Sequence, residues 1–213
     1  VTDRPHLIGL DFETSGTDHE ESAPIQIGLA NRDGEVMVSL VGGWKWLGEW
    51  RGMEKAYEWN ERSFEIHRIE RDRLASAPPA AEVDREAARF VTSSYKGVRS
   101  NWVVAVGWNV AGFDLPFLRK HFPKTQRNMS YRSIDLNAIV FAVTESGLTR
   151  PTGEAWTYKA LKGFVKNAAA ERVAAESDFF DGAEWHDAGY DALASLYAYD
   201  ALRGVLRTSG RPA

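Results

Sequence analysis

Two acids one residue apart, Asp11 and Glu13, close an apolar run that begins at Leu7 and stops where Ser15-Gly16-Thr17 must turn the chain. If this run is a strand, its side chains alternate between faces, so both carboxylates point the same way. At an effective dielectric near 20, two like charges ~4 Å apart repel by about 4 kcal/mol. A divalent cation bound through oxygen is the simplest offset. Two exposed acids at a strand end are the bland reading, and this fragment alone leaves both open. Further along stand Asp114, in Phe113-Asp114-Leu115-Pro116, and the pair His186 and Asp191. Five residues of regular helix would leave that pair about 140° apart around the axis. They can act together only if His186 precedes the helix and reaches over while Asp191 points from its body.

The elements that must position these groups follow from pattern. Leu7 to Glu13 and Pro24 to Ala30 read as strands. Glu35 to Val41 returns as a third after the turn Asn31-Arg32-Asp33-Gly34, so a three-stranded meander is predicted. Asn60 to Phe64 is expected as a short helix running into Glu65-Ile66-His67-Arg68-Ile69, and Ala81 to Tyr95 as a longer helix. Val103 to Trp108 is unbroken and apolar, the mark of a central strand buried on both sides. Pro116 fits only the first turn of a helix, which puts the start near Phe113 and Asp114 at a strand-to-helix junction. A fifth strand is expected over Tyr131 to Asp135, then helices over Leu136 to Ser146, Thr157 to Val165, part of Ala168 to Phe180, and Glu184 to Arg207. In that last helix Ala188, Ala192, Leu196, Tyr199, Leu202 and Leu206 mark one face. The aromatic stretch from Trp44 to Trp59 fits no regular pattern. A meander followed by strand–helix alternation predicts an α/β fold with a mixed sheet.

At 213 residues and 44% hydrophobic composition, one domain spanning 1–213 with a full core is expected. No cysteine is present, which excludes disulfides and thiolate metal sites. No apolar run has the ~20 residues of a membrane helix and no signal-peptide pattern opens the chain, so an intracellular, cytoplasmic protein away from membranes is expected. Net charge is -4, which argues against an extended non-specific surface for nucleic acid but not against a small site that grips one strand end. Eight tryptophans are many for this length; most should be core, and some could stack on bases.

Together these motifs resemble a family. Asp11-Phe12-Glu13-Thr14 is similar to the first motif of the DEDD 3′–5′ exonucleases, and Asn109 to Leu118 to the second. His186 and Asp191 match the third motif of the histidine subclass; the tyrosine subclass would need Tyr where Asp187 stands. Glu65-Ile66-His67-Arg68-Ile69 is similar to the family's Ile-His-Gly-Ile loop, with Arg68 in place of the glycine, and Ile134-Asp135-Leu136 to its fifth-strand motif. The resemblance runs from Leu7 to Leu206. It implies a ribonuclease-H-like fold of the proofreading-subunit kind: a five-stranded mixed sheet, three antiparallel strands plus two parallel ones, flanked by helices.

The resemblance further implies two Mg²⁺ or Mn²⁺ ions held by Asp11, Glu13, Asp114 and Asp191, with His186 as general base. The other reading of His186 is a solvent-exposed histidine at a helix start. For substrate, the resemblance points to Thr14 and Thr17 beside the terminal nucleotide, Ile66 as an apolar wedge, and Phe113 against a base or sugar. Packing of α-helix on sheet is an equal account of Phe113, and Asn109 is expected to orient its loop. Asp135 is expected to be structural. The expected function is metal-dependent 3′–5′ hydrolysis of single-stranded DNA to nucleoside 5′-monophosphates. Hydrolysis of RNA by the same chemistry is an alternative, and an inert polymerase-associated binding module another. A polymerase or a second copy of the chain stays open as a partner, since the sequence points to neither.

Overall fold

The computed structural model describes residues 5–48, 55–99, 102–176, 180 and 186–208. Its centre is a five-stranded sheet in the order β3-β2-β1-β4-β5. These strands are β1 (His6–Thr14), β2 (Pro24–Ala30), β3 (Val36–Leu40), β4 (Val103–Gly107) and β5 (Ser133–Asp135). The first three form the antiparallel meander, and β4 and β5 add in parallel beside β1. The mixed α/β sheet is therefore the one the pattern predicts. Parallel pairing puts the C-terminal ends of β1, β4 and β5 on one edge of the sheet. In open α/β sheets that edge is where loops and helix starts gather around a ligand.

Eight helices flank the sheet among the described residues: α1 (Glu61–His67), α2 (Arg71–Ala75), α3 (Ala80–Ser94), α4 (Asp114–His121), α5 (Pro123–Arg127), α6 (Leu136–Glu145), α7 (Tyr158–Glu176) and α8 (Ala188–Thr208). Alternation along β1 divides the core. Ile8, Leu10 and Phe12 join Val83, Ala87, Leu115 and Phe117 of α3 and α4 on one face. Leu7 joins Val140, Leu161, Val165 and Leu193 of α6, α7 and α8 on the other. Gly9, Asp11 and Glu13 share the parity of Leu7, so both acids face α8. No described helix is long and apolar enough to cross a membrane.

Several expectations need correction. Glu65, Ile66 and His67 belong to α1, which Asn60 caps by accepting the Arg62 N–H; only Arg68, left-handed at φ 58°, and Ile69 leave it. The fifth strand starts at Ser133, two residues later than expected. One helix, α7, replaces the two expected between Thr157 and Phe180: nothing between Val165 and Ala168 breaks a helix, and Leu161, Val165, Ala169 and Val173 bury at one spacing throughout. Helices α2 and α5 are single turns, too short to show a period. The last helix begins at Ala188, and the expected start at Glu184 lies outside the described residues. It is buried all round from Ala188 to Ala198, because α7 covers what the sheet does not; Val205 is buried where Leu206 was expected. Within the stretch from Trp44 to Trp59, residues 49–54 lie outside the described set. The rest packs as an aromatic layer, with Trp44 donating its indole N–H to Pro24 O at 2.8 Å and Trp46 edge-on to Trp59.

Candidate active site

Two glycines bring α8 down onto the sheet. A Cβ on Gly9 would overlap the carbonyl of Ala192, and one on Gly28 would overlap the carbonyl of Ala188. Only glycine allows so close an approach of backbone to strand. Gln26, paired with Glu13 across the meander, ties down the helix start: its Oε1 accepts the Ala188 N–H at 3.1 Å, and its amide donates to Asp187. Asp187 caps α8 by accepting from Gly189 and Tyr190. The first turn of α8, carrying Asp191, is thus held over the end of β1. A register shift between Glu13 and Thr14 bends the strand at the same place.

The acids converge there. Ligand atoms of Glu13, His186 and Asp191 lie within 4.8 Å of one another. Glu13 and Asp191 are each only 8% exposed. His186 stands before the helix with φ 81°, an uncommon conformation for a non-glycine residue, and its backbone N–H donates to Asp191 Oδ2 at 3.0 Å. This is the arrangement the five-residue spacing requires. Among the described residues, Asp191 Oδ1 is buried and accepts no hydrogen bond. Asp114, 2% exposed at the first position of α4, comes from the opposite side of the sheet, and its Oδ1 accepts the Phe12 N–H at 2.9 Å. Asp11 lies among all of them.

Burial is the first cause that raises these carboxyls. It acts with Asp114, Asp191 and Glu13 to hold Asp11 well above the ordinary range. Glu13 is pushed up to about 9 by burial and then by Asp191 and Asp114. Asp114 rises to about 8 through burial although the Phe12 N–H opposes it, and Asp191 to about 7 through burial against the His186 N–H. Four acids forced together without enough donors are costly when ionised. The orphaned Asp191 oxygen among predominantly carboxylate donors, with the His186 imidazole within ligand reach, fits a divalent cation. Partial burial, and then Lys166, lowers His186, so its imidazole is neutral near pH 7.

Around the acids lies a cleft of about 260 Å³, lined by Phe12, Thr14, Thr17, Ser63, Ile66, His67, Trp108, Phe113 and Lys166 as well as Asp11, Glu13, His186 and Asp191. Of the residues expected at substrate, Thr14, Thr17, Ile66 and Phe113 line it. Ile66, on the last turn of α1, is 49% exposed. Phe113 also packs on Phe117, as the packing reading expects. Asn109 does not line the cleft; it turns the chain with φ 60° and its N–H donates to Asp135, which also caps α6.

Sequence reasoning missed Ser63, His67, Trp108 and Lys166 as lining. His67 is buried, accepts the Ile69 N–H on Nδ1, and leaves Nε2 without a partner; burial lowers it to about 4. Only the similarity of its loop to the family motif pointed there. Of the other acids that flank His186 and Asp191 in sequence, Asp200 pairs with Arg32 and Arg172, and Asp181 lies outside the described residues.

No protein-family model matches this chain, and no curated protein matches it. Solved structures do. Exonuclease I of E. coli in complex with a dA16 oligonucleotide superposes with a TM-score of 0.57 at 17% identity, over 97% of this chain and 41% of that one. A product-bound exonuclease I gives a TM-score of 0.57 at 16% identity over 97% and 44%. A zinc-bound complex of the E. coli enzyme with single-stranded DNA gives 0.57 at 17% over 97% and 41%. The fold is ribonuclease-H-like, the same as in these exonuclease I structures. This chain spans about two fifths of the length of the exonuclease I chains it matches. In this ribonuclease-H-like fold the acid cluster occupies the end of the first strand, where the meander meets the parallel half of the sheet.

Proposed function

We propose that this protein is a metal-dependent nuclease of the DEDD family's histidine subclass. Its one domain removes nucleoside 5′-monophosphates from the 3′ end of single-stranded DNA. The observation that carries this reading is the grouping of Glu13, Asp191 and His186 within 4.8 Å, with Asp11 and Asp114 close enough to raise Glu13 or one another and one buried Asp191 oxygen unpaired among the described residues. The match in fold to exonuclease I structures determined with DNA oligonucleotides supports it.

In this reading the four acids hold two Mg²⁺ or Mn²⁺ ions. Such ions, when bound, lower the pKa of water and stabilise charge on a departing oxygen. His186 takes the proton from the attacking water; its neutral imidazole lines the cleft, and its backbone N–H donates to Asp191. Thr14 and Thr17 flank the terminal nucleotide. Ile66 presents an apolar edge to the terminal base, Phe113 backs the sugar, and Asn109 sets the turn that carries Phe113.

The test is a set of parallel digests. Single-stranded DNA and RNA labelled at the 5′ end are incubated with Mg²⁺, Mn²⁺ or EDTA, beside Asp191→Ala. A metal-dependent ladder shortening the DNA from its 3′ end, absent in Asp191→Ala, is expected. Product from RNA alone moves the substrate to RNA, and no product from either polymer overturns the reading in favour of a binding module.

A further inference from the structure

Beside the acid cluster runs a second feature that the chemistry above does not use. Tyr158, Lys162 and Lys166 recur every four residues along α7, so they form one stripe on the helix. Both lysines rest on Trp108, the residue that follows β4: Lys162 Nζ lies 5.1 Å from the ring centroid and Lys166 Nζ 5.6 Å. Lys162 also sits 5.7 Å from the Tyr158 ring. Its ammonium donates to the amide oxygen of Asn137 at 3.1 Å, not to a carboxylate, and the Tyr158 hydroxyl donates to that same oxygen at 2.8 Å. Trp108 and Lys166 line the cleft, whereas Lys162 and Tyr158 lie beyond it. Lys166 is also under the influence of Asp191 and Asp11. The indole N–H of Trp108 is buried and finds no acceptor. In a chain of net charge -4, two ammonium groups on an aromatic platform lead out of an acidic cleft.

We propose that Lys162 and Lys166, seated on Trp108, form a two-phosphate track for the backbone of a single strand leaving the cleft. This inference rests on the nuclease reading. Four residues of helix separate the lysines by about 6 Å along the axis, comparable to the step between successive phosphates of an extended strand. Cation–π seating fixes each long side chain before the strand arrives, which reduces the ordering cost of binding. Contact with phosphates makes the track indifferent to base, and an open aromatic surface at Tyr158 allows one stacking step beyond it.

Each phosphate contact on a single strand contributes about 0.7 to the slope of log affinity against log salt. The experiment is fluorescence anisotropy across a salt series, with a labelled oligothymidylate whose linkages are nuclease-resistant phosphorothioates and with Mn²⁺ present. Lys162→Gln is expected to lower the slope by about 0.7 and Lys162→Gln/Lys166→Gln by about 1.4, with Lys162→Arg restoring the first loss. An oligouridylate should show the same losses. An unchanged slope in Lys162→Gln, in protein that melts with the wild type, overturns the track. Digestion of an unmodified strand is scored separately. Cleavage with unchanged slopes removes the track and leaves the nuclease. Lowered slopes without cleavage keep a strand-binding surface and remove the nuclease.

Discussion

Two buried aspartates show what distinguishes an acid fully supplied with donors from one left short of them. Asp84, on α3, is 2% exposed and accepts three hydrogen bonds: from the N–H groups of Lys124 and Thr125 at 3.0 and 2.9 Å and from the Thr125 hydroxyl at 2.9 Å. It caps the first turn of α5 from a neighbouring helix, and the desolvation of its charge is compensated by donors. Asp191, also buried, has one such bond, an orphaned second oxygen, and further carboxyls close by. Folding alone selects the first arrangement. The second is costly for the isolated chain, with only the His186 N–H and the nearby Lys166 offsetting it; under the proposed function a bound cation would relieve the rest.

The largest effect expected from this contrast is on activity. Asp191→Asn should lower metal-dependent hydrolysis by about 10³-fold or more, as removal of a charged group aimed at the reacting centre does. In EDTA the same variant should melt about 3 °C or more above the wild type, because a crowded charge has gone. A variant equally inactive but less stable without metal would place Asp191 with Asp84, as a structural acid. Next in size is His186→Ala, expected to slow turnover by about 10²–10⁴-fold. Its Mn²⁺-induced rise in melting temperature should stay close to that of the wild type. Comparable loss of both would make His186 a ligand, an arrangement its distance to Glu13 and Asp191 allows. Asp84→Ala should do the reverse: a loss of about 3 kcal/mol, near 10 °C in melting temperature, from donors left without an acceptor. Activity per folded molecule should hold. If it fell with stability, the two acids would not be separable.

The same contrast explains what could be read from the sequence. Asp11 and Glu13 were legible because an apolar run fixes a strand and a strand fixes parity. His186 and Asp191 were legible because their spacing fits only one placement of the helix start. Asp84 was not legible: it sits between Val83 and Arg85 on an amphipathic helix, and the backbone it caps is some forty residues away in sequence. Lys162 and Lys166 were equally hidden, since a lysine pair four apart is ordinary on a helix until Trp108 is placed against it. Gly9 and Gly28 did carry a signal. A glycine inside each of two otherwise apolar strands marks a close backbone approach, and here that approach seats α8. The all-round burial of α8 was unreadable for a different reason: its covering layer, α7, has a pattern that looks like two shorter helices.

The smallest effect is a pH dependence of stability without metal, and its sign separates acids held apart from donors from acids that have them. Asp191, Asp114 and Glu13 titrate at about 7, 8 and 9 in the folded chain, above the ordinary 3.8 to 4.5. Below the lower values both states are protonated and the stabilising contribution is fully present. As pH rises past about 4.5, the unfolded chain has released these protons while the folded chain keeps them, so these acids lower stability from there until the folded groups themselves ionise at about 7, 8 and 9. Histidines oppose this only at lower pH. His67 and His121, both held near 4 by burial, make stability rise between about pH 4 and their ordinary 6.5. The fall should therefore be steepest above pH 6.5, at about 1.4 kcal/mol per pH unit for each extra proton the folded state retains. Melting curves in EDTA from pH 6.5 to 9 measure it, and Asp191→Asn should flatten the slope. Divalent cation should reverse it: Mn²⁺ binds the ionised set, so its gain in melting temperature should be larger at pH 8 than at pH 5. A gain independent of pH would mean that the cation binds somewhere other than these four carboxyls.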